Sequence, residues 1–355
     1  MIAEMLVKAM CGLPVLQGIQ GMPVISRRKL LQLGAAAMVA GIPVSPGKHV
    51  SEEERVQLVR ALGESIGAGW KLFSVAATEQ TLAVGQAQLY ILQKLHSNLY
   101  STTRPIFYSA VYNLIGSAFC FKEYYKGALH AHSCAYVAAL EAGDPWSMAQ
   151  SLNWQAYVYH ALGQYAEAVQ TIEAALRLVS YQIDELCVRL KGHLLASWAE
   201  NAAMIKGDAL VQEKLEASEA LLDRIPPNEE FDRARWLQQA GNCALRSGDY
   251  KIAIERFEKA LTGLPQNWLV RRAITVIPLA VAYARIQELD ASLVVAEKAI
   301  PVISAMDAPA INKQFAEYIN HDLLGSFPDD SRIRTFVTNV QYLLPRLPLV
   351  GIVSD

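Results

Sequence analysis

Four stretches of the chain carry one and the same alternation of large and small residues, and this limits the fold more than any other feature. The first is Tyr125, Ala128, Leu129, His132, Ala135, Tyr136, Ala139, and the second is Tyr165, Ala168, Val169, Ile172, Ala175, Leu176, Val179. The third is Tyr250, Ala253, Ile254, Phe257, Ala260, Leu261, Leu264, and the fourth is Leu289, Ser292, Leu293, Ala296, Ala299, Ile300, Ile303. All four run at offsets 0, 3, 4, 7, 10, 11 and 14, which is one face of an α-helix. Small residues recur at offsets 3 and 10, where a neighbouring backbone must come close. A solitary amphipathic helix would share the period but not this alternation. Repeated units of this kind bury their apolar faces by stacking on one another.

Each stretch is preceded by a second helical stretch and a tight turn. A small residue, Gly116, Ala156, Gly241 or Ala280, stands twelve residues before the small residue of the following helix, with Phe119, Tyr159, Ala244 or Tyr283 three positions later. Gly163 and Gly248 mark two of the turns, since glycine takes the left-handed conformation that ends a helix. Pro265 closes one unit. A leading helical pair is expected over 52–73 and 77–98, with Ser51-Glu52-Glu53-Glu54 as an acidic start. A trailing pair is expected over 309–324 and 331–343, broken and capped by Phe327-Pro328-Asp329-Asp330. A degenerate fifth unit covers about 185–224, with Gly207-Asp208 as its best turn signal. Nothing reads as strand.

On these residues the chain resembles the tetratricopeptide repeat family. The unit Gly241, Gly248, Asp249, Tyr250, Ala253, Phe257, Ala260, Pro265 matches its signature almost completely, and Tyr165, Ala168, Ala175 match it well. The resemblance implies an all-α, right-handed superhelical solenoid of antiparallel helix pairs over residues 51–344. The units are long: Ala128 and Ala168 stand 40 apart, and Ala253 and Ser292 stand 39 apart, against about 34 in the standard repeat. HEAT-like repeats have similar periods, but the signature residues favour the tetratricopeptide reading. The long unit is similar to the repeat domains of bacterial peptide sensors and multidomain regulators. Such regulators often carry a DNA-binding domain ahead of the repeats, for which residues 1–50 show no helices.

Residues 1–50 are apolar and rich in Gly and Pro, and read as a linker, docking or signal-like segment. Arg27-Arg28 precedes the apolar run Leu33-Gly34-Ala35-Ala36-Ala37-Met38-Val39-Ala40-Gly41, a pattern similar to a twin-arginine export signal. Pro43 and Pro46 crowd the place where cleavage would fall, and the run is too short to span a bilayer. A cytoplasmic protein is the leading expectation, and export is the alternative. Residues 345–355 form a short tail. The net charge of −2 and pI near 6.4 lack the basic excess of a chain that grips nucleic acid. Five cysteines, an odd number with no C-x-x-C pair, read as reduced thiols.

In stacked pairs the first helices line a concave face. Counting back from the small residue of each second helix selects what points there. Fifteen back lie Asn113, Asn153, Gln238 and Ile277; eleven back lie Ser117, Tyr157, Asn242 and Val281; seven back lie Phe121, Ala161, Arg246 and Arg285. Asn201 takes a similar place in the degenerate unit. The expected site is a ladder of amides (Asn113, Asn153, Asn201, Gln238, Asn242), with Tyr157 and His160 beside it and Arg235, Arg246 and Arg285 toward one end. An amide both donates and accepts, so it can pair with the backbone of an extended peptide. Arginines suit a carboxylate. Some of these amides could instead be solvated or join neighbouring helices. The lysine-rich clamp of co-chaperone repeats is missing.

Other chemistry falls away. Gly63-Glu64-Ser65-Ile66-Gly67 has the form of a hydrolase nucleophile elbow, but it lies within a helical stretch with no sheet to hold a triad. His130, His132 and Cys134 lack the further ligands a metal needs, and His132 falls in the packing register. Trp146, Trp154, Trp198, Trp236 and Trp268 fall at repeat junctions and read as packing residues. The expectation is a non-enzymatic module with no cofactor and no metal. It binds a peptide or partner segment and serves as a regulator or sensor; the alternative is a structural scaffold for complex assembly.

Overall fold

The structure is a computed structural model, and it describes residues 51–75, 77–95, 99–205, 209–224 and 231–349. The arginine pair Arg27-Arg28, the turn Gly207-Asp208 and the end of the tail lie outside these residues. No helix among the described residues is long and apolar enough to cross a membrane.

Helices follow one another with no strand among the described residues. They are α1 (Glu52–Ser74), α2 (Thr78–Lys94), α3 (Thr103–Phe121), α4 (Tyr125–Ala142), α5 (Pro145–Ala161), α6 (Tyr165–Val179), α7 (Glu185–Ala202) and α8 (Ala209–Leu222). The series continues with α9 (Arg233–Ser247), α10 (Tyr250–Gly263), α11 (Leu269–Arg285), α12 (Leu289–Ser304), α13 (Pro309–Glu317) and α14 (Ser331–Leu343). They form two compact units. One runs from α1 to Val158 in α5 and the other from Tyr159 onward, two connecting turns excepted.

Local chemistry sets the helix ends. Ser51 and Glu54 form a reciprocal capping box: the Ser51 N–H donates to Glu54 Oε2 at 2.7 Å, and the Glu54 N–H donates to Ser51 Oγ at 3.2 Å. Asp184 and Asp232 cap α7 and α9 by accepting from the Cys187 and Arg235 N–H groups. The turns expected at Gly163 and Gly248 are left-handed, with φ of +74° and +83°. Glu123 (φ 59°) and Gln287 (φ 64°) take the same place in the other two pairs, where no glycine announces the turn.

The small residues of the second helices are deeply buried. Ala128, Ala135, Ala168, Ala175, Ala253, Ala260 and Ser292 are fully covered. In two pairs the side chain at offset 7 lies on a glycine of the first helix. A Cβ on Gly116 would stand 2.5 Å from His132 Cε1, and one on Gly241 would stand 2.6 Å from Phe257 Cε1. The pairs with Ala156 and Ala280 in the place of that glycine carry the ringless Ile172 and Ala296 at offset 7. A ring on one helix thus goes with a missing side chain on the other.

The degenerate pair α7 and α8 solves the same problem differently. Ser218 is buried, and its Oγ donates to the Gly192 carbonyl at 2.7 Å, as Ser292 Oγ in α12 donates to the Ala280 carbonyl of α11 at 2.9 Å. The ring over Gly192 is that of Phe231, 2.5 Å from where a Cβ would stand. The trailing pair also departs from a plain helix. After α13 the chain makes a π-turn over Tyr318–Leu323 before a last helical turn, Leu324–Ser326. In α geometry residues five apart lie about 140° apart around the axis, whereas a π-turn brings them onto one side. Tyr318 and Leu323 are both buried, and the Tyr318 hydroxyl meets Ser292 Oγ at 2.8 Å.

Two outcomes follow. Gly241→Ala forces Phe257 to shift and costs about 1–3 kcal/mol of overpacking, set against about 1 kcal/mol of helix propensity. Urea unfolding checks the sign, and adding Phe257→Leu restores the midpoint. The second outcome concerns acid. Burial holds the His132 imidazole down at about 3, and burial followed by the Arg235 charge does the same for His193. The unfolded chain binds these protons near pH 6.5 while the folded chain refuses them. Stability is therefore full above pH 6.5 and falls as the pH drops toward 3, by about 2 kcal/mol for each histidine at pH 5. His132→Gln flattens that slope in urea titrations between pH 7 and pH 5.

Candidate peptide-binding face

In the second unit, polar side chains join consecutive first helices at separations of about one repeat. Asn242 Nδ2 on α9 donates to Glu200 Oε1 on α7 at 2.6 Å. Gln239 Nε2, also on α9, donates to Ser197 Oγ at 2.8 Å and to Glu200 Oε2 at 3.4 Å. Asn201 Nδ2 donates to the Ser197 carbonyl at 2.8 Å, which leaves Asn201 Oδ1 to accept from His160 Nδ1 at 2.9 Å. That arrangement puts the His160 proton on Nδ1. At the start of α9, Asp232 takes both Nη groups of Arg271 from α11, at 2.6 and 3.0 Å. Arg285 at the end of α11 pairs with Asp322 at 2.5 Å.

These contacts correct the depth at which the amides were expected. Asn201 and Gln238 are each only 5% exposed, so they do not stand in open solvent. The reason is geometric: a first helix lies beside the first helices of its neighbours, and its polar stripe falls on the seam. Asn242, His160 and Arg235 are half-buried, whereas Arg246 and Arg285 are exposed. Gln238 and Asn242 share one stripe, a turn apart, and Gln238 Oε1 is buried with no hydrogen-bond partner among the described residues. Glu200, at the centre of these bonds, was not among the residues singled out from sequence.

The first unit corrects the position of Asn113 in the same way. It is 3% exposed; its Nδ2 donates to Ser151 Oγ at 3.1 Å, and its Oδ1 accepts from His132 Nδ1 at 3.0 Å. His132 is the packed histidine expected from its register. Asn153 and Tyr157 are half-buried and lie on either side of Trp154 in the sequence. The Trp154 ring stacks on Trp70 at 5.6 Å and meets Tyr157 edge-on at 5.8 Å. Trp70, on α1, was missed because only the repeated units were counted for inward-facing positions.

The remaining motifs have structural places. Ser65 lies inside α1, where its Oγ and carbonyl accept from Gln88 Nε2 at 2.9 and 2.7 Å. His130 Nε2 and Cys134 Sγ are 3.8 Å apart, and no group of three metal-binding side chains occurs among the described residues. Cys120, Cys187 and Cys243 are buried thiols and Cys134 a half-buried one. Burial pushes the Cys243 thiol up, away from the reactive thiolate.

The fold is of the tetratricopeptide-repeat type: tandem helix pairs, each closed by a small residue on the second helix. No protein-family model matches the chain, and no curated protein matches it. Among solved structures it is similar to a Rap protein complexed with Competence and Sporulation Factor, with a TM-score of 0.53 and 14% identity, over 81% of this chain and 90% of that one. Looser likenesses are to the apo form of the quorum sensor NprR from B. thuringiensis (TM-score 0.45, 15% identity, 90% and 93% covered) and to the APC/C hetero-tetramer Cut9-Hcn1 (0.40, 16%, 88% and 59%). The first likeness supports the fold; the other two are too loose to add to it.

Substitution separates amides that bind within the protein from those that do not. Asn113→Ala leaves Ser151 and His132 short of partners and costs about 2 kcal/mol. Asn153→Ala, which breaks no hydrogen bond to a described residue, stays within about 0.5 kcal/mol in the same urea titration.

Proposed function

We propose that this chain is a non-enzymatic protein-interaction module that holds a peptide, or an extended segment of a partner, against the first helices of its pairs. Its role is that of a regulator or sensor. The observation that carries this reading is the stripe of Gln238 and Asn242 on α9, beside Glu200 of α7. Asn242 ties two repeats together through Glu200, and the stripe keeps hydrogen-bonding capacity that no described residue uses. Backbone N–H groups of an extended peptide are donors of the kind such a stripe can accept. The likeness to a Rap protein solved with Competence and Sporulation Factor supports the same reading. A ligand crossing from α7 to α9 would act on the bonds that set their spacing, so occupancy would be felt by a partner touching either helix.

The scaffold reading draws on one feature of the second unit. Tyr181 and Ile183, in the turn between α6 and α7, are each 93% exposed, an apolar pair suited to contact by an outer face. Panning a random heptapeptide display library on the full chain distinguishes the two. Under the peptide-binding reading, selected peptides bind the wild type and lose about tenfold or more in affinity with Asn242→Ala. They are indifferent to Tyr181→Ser with Ile183→Ser. The reverse pattern supports the scaffold.

A further inference from the structure

Resting on the peptide-binding reading, we infer that Glu200 selects a cationic group, an amine or a guanidinium, on the ligand. The Glu200 carboxylate is half-buried and held on both oxygens by neutral amides, Asn242 Nδ2 at 2.6 Å and Gln239 Nε2 at 3.4 Å. It has no ion pair with any described residue. An amide donor orients a carboxylate without neutralising it, so the negative charge is fixed in place and left unmatched.

The amides near it are occupied within the protein or carry no charge. Asn242 and Gln239 use their N–H groups on Glu200 and Ser197, and Asn201 has both ends of its amide engaged. Gln238, a turn before Asn242 and 5% exposed, has its carbonyl oxygen buried and unpartnered among the described residues. An amide carries no net charge, so neither Gln238 nor Asn242 offsets the charge of Glu200. Ammonium and guanidinium groups are pure donors with a positive charge, so they meet the acceptor oxygens of Glu200 and its charge at once. A neutral peptide N–H would meet an acceptor but leave the charge of Glu200 uncompensated. Arg235 and Arg246 flank the stripe on α9; the exposed Arg246 is screened by solvent and suits a carboxylate beside the cationic group. Arg256, on α10, is bound to the Ala240 carbonyl at 2.9 Å.

The test uses the immobilised full-length chain and a positional-scanning library of end-blocked heptapeptides, with bound peptides identified by mass spectrometry. Lysine or arginine is enriched at one position by about 10- to 100-fold, the range of a charged hydrogen bond. Glu200→Gln, which keeps the shape and removes the charge, abolishes that enrichment, and Glu200→Lys turns it toward aspartate and glutamate. Circular dichroism confirms folding. Raising NaCl from 50 to 500 mM on the wild type is a second reading that needs no variant, and it weakens capture of the basic peptides selectively. Peptides captured without basic preference, or a preference that survives Glu200→Gln, overturn the inference and leave the peptide-binding reading standing. Failure of the wild type to capture any peptide overturns both.

Discussion

The structure depends on how closely two helices of a pair can approach. Where Phe257 lies on Gly241 and His132 on Gly116, a ring rests against bare backbone, and a single added carbon would collide with it. That approach brings the alanines of the second helix into full burial and fixes the rotation of each helix about its own axis. Once rotation is fixed, the outward edge of each first helix is fixed too. The polar bridges in the second unit use that edge: Asn242, Gln239 and Arg271 reach Glu200, Ser197 and Asp232.

Much of this was legible in the sequence. The alternation of large and small residues at helical spacing named the second helices, and the glycine or alanine twelve positions earlier named their partners. Three features were not legible, each for a physical reason. Ser218 and Phe231 do in the degenerate pair what an alanine and an aromatic do elsewhere, but a serine hydroxyl binding a distant carbonyl leaves no local pattern. Glu123 and Gln287 adopt left-handed turns that sequence assigns to glycine, because the flanking helices impose the turn. The π-turn after α13 goes with burial of Tyr318 and Leu323 together, a tertiary arrangement that period counting does not see.

Counting residues assigned the candidate face a direction but no depth. The count placed Gln238 and Asn242 on one stripe of α9. It did not say that Gln238, Asn201 and Asn113 would be covered by neighbouring repeats, because burial on a seam depends on the helix alongside rather than on the helix itself. Glu200 escaped notice for a related reason. A carboxylate on a helix usually reads as solvated, and only the amides arriving from α9 distinguish it from the other glutamates.

The bridges near one repeat length also bear on how the chain acquires its form. Closing a loop of about forty residues carries a modest entropic penalty, and one that is much the same from one bridge to the next. Assembly of the second unit can therefore start at whichever pair happens to form first and spread outward by short steps. By the same logic, damage to one bridge loosens the adjoining pairs and leaves remote ones standing.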